Sequence, residues 1–312
     1  MAAETPAHPV PWRGRMAQLA RQPQDPFGGD NAVGLTYKRK AMTNNFRRSL
    51  TKAILAMSVI GSAAALSGCG SSNAETLPPT AVTPTTAILV HGAWADGSSW
   101  AKVTPLLQAR GLKVVSVQLQ RASLSEDAAI VRRAIEAQSG QVVLVGHSYG
   151  GAVITEAGAG AKVANLVYVD AFAPGDNESI NDLISPYPAG AWTAGLTPDT
   201  AGYLSLSTDV YLKYFASDVP AAEAGVLASA QGPIFNQVLA QKVSSAAWKS
   251  KPSFFVIGTG DQIIPPEFQQ GEAARIKAKV ITVPGASHVS MVSHSTEVAN
   301  AILTAAASVN GI

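Results

Sequence analysis

The chain of 312 residues has a single cysteine, Cys69, so no disulfide can form within it. Charge is scarce as well: Lys, Arg, Asp and Glu together make up 14% of the residues. The basic charge lies early. Up to Cys69 there are nine Lys or Arg against three Asp or Glu; from Gly70 onward there are fourteen against eighteen, a net charge of −4. No run of Lys or Arg occurs in that second part, which excludes an electrostatic nucleic-acid surface there. No uncharged apolar run reaches the about 20 residues of a membrane span. The nearest, 53–66, has 14. A phosphate loop of the form G-x-x-x-x-G-K followed by Ser or Thr, a dinucleotide fingerprint and a metal-spaced Cys/His cluster are all missing, so neither cofactor nor metal is expected. What the chain does have is apolar bulk. At 47% it suffices for one well-buried domain with appendages.

Those appendages come first. Residues 1–41 are rich in Pro, Gly, Ala and Arg without a sustained apolar period and read as a disordered leader; Met42 offers an alternative start. Residues 42–69 read as a signal peptide. Arg47, Arg48 and Lys52 form a basic segment, the apolar run follows, and Leu66-Ser67-Gly68-Cys69 closes it. That ending resembles the lipobox of bacterial lipoproteins, which predicts cleavage before Cys69, lipidation of its thiol and attachment to a membrane of the cell envelope. Plain cleavage near Ala64 or Gly68 would instead leave a periplasmic or secreted protein. Arg47-Arg48-Ser49-Leu50-Thr51-Lys52 partly resembles a twin-arginine signal, from which Thr51 departs. Residues 70–84, rich in Ser, Thr and Pro, read as a tether, and the globular domain is expected over 85–312.

From residue 85 short β-branched runs alternate with Ala-rich amphipathic stretches. Strands are predicted at 87–90, 113–119, 141–145, 163–169, 253–257 and 279–283, and helices at 98–109, 124–138, 149–160, 265–276 and 291–308. Continuous apolar strands alternating with helices indicate an open parallel sheet covered on both faces. One stretch, 174–251, breaks the alternation. It reads as mostly helical with no strand, a cap over the carboxyl ends of the strands.

Gly146-His147-Ser148-Tyr149-Gly150 falls between a strand and a helix. This G-x-S-x-G context forces a sharp turn that lifts the Ser148 hydroxyl to a helix N-terminus, where free N–H groups favour developing negative charge. A serine hydroxyl needs a base, and the base an orienting acid. Asp261 follows the strand 253–257 and His288 follows 279–283, so both reach the edge that carries Ser148. Asp170, ending the strand 163–169, is a rival acid. Of the other histidines, His294 is expected within the last helix as a surface or capping residue. His147 should point away from the nucleophile, His91 should brace its own loop, and His8 belongs to the leader. In that loop, Gly92 permits a tight turn, and the N–H groups of Ala93 and Tyr149 are candidates for an oxyanion hole. Trp94 either lines the pocket or packs in the core, and Asp96-Gly97 forms a turn.

Five segments carry a resemblance: HGAWADGSSW, VVLVGHSYGGAVITEAG, LVYVDAFAPGDNES, AWKSKPSFFVIGTGD with IIPP, and GASHVSMVSH. They are similar to a bacterial branch of the esterase and hydroxynitrile-lyase family within the α/β-hydrolase fold superfamily. The resemblance implies a mostly parallel sheet flanked by helices, a helical cap inserted between strands, and no cofactor. It also implies Ser148 as nucleophile, Asp261 as acid, His288 as base, and Ala93 with Tyr149 as oxyanion donors. The lyases of that family carry a threonine at the position of Gly92 and a lysine at that of Val289. Their absence favours hydrolysis of a small-molecule ester. A lyase or cofactor-free carbon–carbon cleaving enzyme is the alternative, and a non-catalytic ligand receptor stands behind both. Among the cap aromatics Tyr187, Trp192, Tyr203, Tyr211, Tyr214, Phe215, Phe235 and Trp248, a minority should wall an apolar pocket, the rest packing within the cap.

Overall fold

The structure, a computed structural model, describes residues 85–309. The leader with His8, the signal segment with Cys69 and the tether lie outside the described residues. In chain order the strands are β1 (Thr86–Val90), β2 (Lys113–Ser116), β3 (Val142–His147), β4 (Val163–Val169), β5 (Leu196–Pro198), β6 (Tyr203–Leu206), β7 (Ile234–Phe235), β8 (Ser253–Gly258) and β9 (Lys279–Val283). The longer helices are α1 (Val103–Gln108), α2 (Leu124–Glu136), α3 (Tyr149–Ala157), α4 (Ile180–Ile184), α5 (Ala221–Ala230), α6 (Pro266–Arg275) and α7 (Ser295–Val309).

Six strands form one sheet in the order β2-β1-β3-β4-β8-β9, every pair parallel. Its inner strands β1, β3 and β8 are buried along their whole length, which is why they read as unbroken apolar runs. The edge strands β2 and β9 begin with Lys113 and Lys279, both exposed, charges that discourage pairing with another chain. Helix α2 shows how the covering layer is specified. Leu124, Ala128, Val131 and Ile135 return at helical spacing to one buried face, while Glu126 and Asp127 occupy its first turn and Arg133 its last, as the helix dipole favours. This helix packs on α3, and α1 packs on α7.

The structure corrects four expected boundaries. Strand β2 ends at Ser116, not 119: the Val117 N–H still reaches Leu89 O at 3.1 Å, but Leu119 N–H is drawn instead to His91 Nε2 at 3.0 Å. The helix expected over 98–109 is a 3-10 turn, Gly97–Trp100, capped by Asp96 and followed by α1. The last helix is divided at His294, which leaves the helical region (φ −124°, ψ 47°) between the short helix Ser290–Ser293 and α7. His294 therefore belongs to a break and not to a helix; its Nδ1 lies 3.4 Å from Asp218 Oδ2. The fourth concerns the insertion between β4 and β8. It contains α4, α5 and a π-helical turn, Tyr211–Phe215, but also an antiparallel sheet of β5, β6 and β7 that the sequence reading missed. Strand β6 has the two-residue period, with Leu204 and Leu206 buried between half-buried neighbours, over only four residues.

Candidate active site

At the end of β3 the chain turns sharply into α3, and Ser148 sits in the turn with φ 53° and ψ −121°, a conformation unfavourable to a residue with a Cβ. The flanking glycines allow it. A Cβ on Gly146 would lie 2.5 Å from Gly150 O, and one on Gly150 would lie 2.7 Å from both Val90 O and His91 O. Only hydrogen atoms fit where these backbones cross.

Asp261 follows β8 and His288 follows β9, and the parallel order brings both to Ser148. His288 Nδ1 donates to Asp261 Oδ2 at 2.8 Å, leaving Nε2 to accept from Ser148 Oγ at 3.0 Å. All three residues are buried. Burial lowers the His288 imidazole to about 3 and so keeps it neutral. Burial also pushes the Asp261 carboxyl up, against the N–H groups of Ile264 and Ile263 and the Gln269 amide, which favour its charged form. Those donors lie at 3.0, 2.8 and 2.8 Å. Asp170 is close but bonds elsewhere: it accepts from Gly258 N at 2.7 Å and from the Ser290 hydroxyl. Burial first, then the charge of Asp261, hold its carboxyl well above the usual range.

Around this chain the loops are braced as follows. His91 donates from Nδ1 to Gly92 O at 2.8 Å and accepts Leu119 N–H on Nε2, the bracing expected of it. His147 departs from expectation. It does not turn away from the site; its Nε2 donates to His288 O at 2.7 Å and its ring lies 4.8 Å from the His288 ring. Ala93 and Tyr149 line the same cavity as Ser148. Tyr149 opens α3, so its N–H is one of the first-turn donors that a helix leaves unpaired. Its phenol donates to Asp127 Oδ2 at 2.8 Å and anchors the turn to α2. Gln269, which bridges Asp261 Oδ2 and Ile264 O, and Asp127 escaped the sequence reading. The available signal was a buried polar residue on the inner face of each helix, visible only once the face is known.

The cavity above Ser148 measures about 90 Å³. The core contributes Phe172, Gln262, Ile263 and Phe268, the cap Ile180, Ile184, Tyr187, Trp192 and Leu239, and the loop after β1 contributes Trp94. Among the described residues, no Lys, Arg, Asp or Glu lines it. Trp94 both lines the cavity and is packed. Its ring meets Trp192 edge-on at 5.6 Å and its indole N–H donates to Leu204 O at 2.8 Å. Of the eight cap aromatics, Tyr187 and Trp192 reach the cavity. Tyr203 and Phe235 pair with each other, and Trp248 donates to Pro174 O.

A parallel sheet of this order, with a strained serine after its third strand and an acid and a histidine after its last two, defines an α/β-hydrolase. The chain belongs to the alpha/beta hydrolase family, with a match over residues 87–301. It is 27% identical over 247 residues to the polyneuridine aldehyde esterase of Rauvolfia serpentina, spanning 69% of this chain and 93% of that protein. To the carbendazim hydrolyzing esterase of Nocardioides sp. (strain SG-4G) it is 36% identical over 111 residues, which span 31% of this chain and 46% of that protein, about half its length. The crystal structure of polyneuridine aldehyde esterase superposes with a TM-score of 0.63 at 22% identity, covering 71% of this chain and 98% of that one, a likeness of fold.

Proposed function

We propose that this chain hydrolyses a small, largely uncharged carboxylic ester through an acyl-enzyme on Ser148. The observation that carries the reading is the hydrogen-bonded line that runs from Ser148 through His288 to Asp261, its Ser148 end opening on an apolar cavity without charged lining among the described residues. Ser148 Oγ attacks the ester carbonyl while its proton passes to His288 Nε2. The carbonyl oxygen takes up negative charge, and the N–H groups of Ala93 and Tyr149 stabilise it, by on the order of 3–4 kcal/mol for one such donor. Expulsion of the alcohol takes the proton from His288. Water, deprotonated by the same imidazole, then releases the acid and restores Ser148. Asp261 accepts the Nδ1–H hydrogen bond throughout, without taking the proton, and stabilises the imidazolium. Relatives named as esterases support the chemistry.

A lyase reading finds less support. A Cβ on Gly92 would lie 2.7 Å from Ser148 Cβ, so this backbone has no room for the threonine of the lyases, and the buried Val289 supplies no cation for a departing cyanide. A receptor without turnover would not need the complete Ser148, His288 and Asp261 set. Assay of a nitrophenyl ester series beside mandelonitrile cleavage tests all three readings. Ester turnover is expected, with Ser148→Ala folded but retaining well under a few per cent of it, and a fluorophosphonate should label Ser148 stoichiometrically. Mandelonitrile cleavage without ester turnover would overturn the proposal, as would labelling of another serine.

We further propose that the mature protein begins at Cys69 and is held by lipid at a membrane of the bacterial cell envelope, a reading that rests on Leu66-Ser67-Gly68-Cys69 ending a basic-then-apolar segment. Mass spectrometry should find an acylated N-terminal Cys69 and no peptide upstream of it. An unmodified Cys69 in a soluble, active protein would count against it.

A further inference from the structure

The two ring nitrogens of His288 are accounted for by Asp261 and Ser148, which leaves the question of what fixes its backbone. On one side His147 donates to His288 O. On the other, the residue before it is gripped by the cap. Asp218, three residues beyond the π-helical turn Tyr211–Phe215, accepts the Ser287 N–H on Oδ2 at 3.0 Å and the Ser287 hydroxyl on Oδ1. The same hydroxyl lies 3.4 Å from Phe215 O, and the Phe215 ring meets the His288 ring edge-on at 4.9 Å. His294, at the break before α7, faces Asp218 Oδ2, the oxygen that also accepts the Ser287 N–H. Ser287 is fully buried, and the Asp218 side chain is 19% exposed. A charged cap residue bound by both donors of one buried serine is a specific tie between the cap and the loop that carries the base, where packing would need only an apolar contact.

We propose that Asp218 is a positioning residue for His288: by holding Ser287 it makes the placement of the base depend on the docked cap. The inference rests on the hydrolase reading above. Asp218 lies outside the cavity lining, so it acts through the loop and not on substrate. Without the tie, the loop 284–288 keeps its bonds to the 258–260 turn, but the turn carrying the base gains freedom at Ser287. A displacement on the order of 1 Å at a general base costs up to about 100-fold.

The test compares Asp218→Ala and Asp218→Asn with the wild type on p-nitrophenyl acetate. Asp218→Ala should lower kcat roughly 10- to 100-fold with KM within about threefold. It should slow fluorophosphonate labelling of Ser148 in the same proportion. It should also move the acid limb of kcat/KM upward, because a loosened His288 is better hydrated; the titratable groups that face it, Asp261 and His147, are unchanged. Asp218→Asn keeps one acceptor for Ser287 and should fall between the two, about three- to tenfold below wild type; if the alanine variant does not fold, this one decides. A folded variant with wild-type kcat and an unmoved acid limb would overturn the proposal, and so would a loss confined to KM or to melting temperature. Absence of ester turnover in the wild type would overturn the hydrolase reading itself, whereas an active wild type matched by its Asp218 variants overturns only the positioning role.

Discussion

Asp261 and Asp170 are both buried at the carboxyl ends of neighbouring strands, and their charges interact, yet they are wired differently. Asp261 Oδ2 accepts from His288 and from Gln269, so an amide in its place would set N–H against N–H or force the imidazole into the wrong tautomer. Asp170 accepts from Gly258 N and from Ser290, a hydroxyl that can reverse its role toward an amide. Burial also favours the neutral form of Asp170, so asparagine imitates a state the site already tolerates. Asp261→Asn is therefore expected to lower kcat by roughly 10⁴, and Asp170→Asn by less than about tenfold. Steady-state kinetics of the two variants decide, and the opposite ranking would assign the acid to Asp170. The positions of Ser148, Asp261 and His288 were legible because each ends a strand of a parallel sheet, where topology fixes the neighbours. Gln269, Asp127 and Asp218 were not legible, because a single polar residue in a helix or cap has no spacing that announces its partner.

The main sheet was legible for a related reason. Its buried strands are largely apolar runs, and the helix between β2 and β3 has a clear apolar face. The cap was legible only as an insertion, because its strands are two to four residues long and broken by glycine and proline, too short to establish a period. What the cap does to substrate follows from what it contributes. Ile180, Ile184, Tyr187, Trp192 and Leu239 close one side of a cavity whose other wall is Phe172, Ile263 and Phe268. Within it, Tyr187 and Phe172 both stand edge-on to Phe268, at 5.3 and 5.8 Å, an aromatic boundary whose outer ring, Tyr187, is about half exposed. On the ester reading, a growing acyl chain would run into these rings. In an acyl series at fixed alcohol, kcat/KM should peak at about two to six carbons and fall steeply beyond about eight. A maximum at long chains, with activation at a lipid interface, would mean that the cap opens far wider than this packing permits.

For the molecule as a whole, the buried histidines tie stability to pH. His91 illustrates the sign. Its ring donates to Gly92 O and accepts Leu119 N–H, an arrangement available only to the neutral imidazole, since the charged ring has no acceptor nitrogen. Burial, the main cause, lowers its pKa to about 4 from the 6.5 of an unfolded chain. Between those values the unfolded state binds the proton and the folded state does not, so acidification stabilises the unfolded state. Stability is fully present above pH 6.5 and is lost as the pH falls toward 4. His147 and His288, lowered by burial as well, act in the same direction. The buried carboxyls act oppositely: Asp170 and Asp261 are raised, and between pH 3.8 and their raised values protonation favours the folded state. A single acid titration of the wild type would mix these contributions, and a difference between two proteins separates them. His91→Gln keeps a donor and an acceptor near the same places but cannot titrate. Urea unfolding of wild type and variant at pH 7.0 and 4.5 should show the wild type losing on the order of 2–3 kcal/mol more than the variant over that interval. Equal losses in the two proteins would mean that His91 binds its proton alike in the folded and the unfolded state, and that the loop after β1 does not depend on a neutral imidazole.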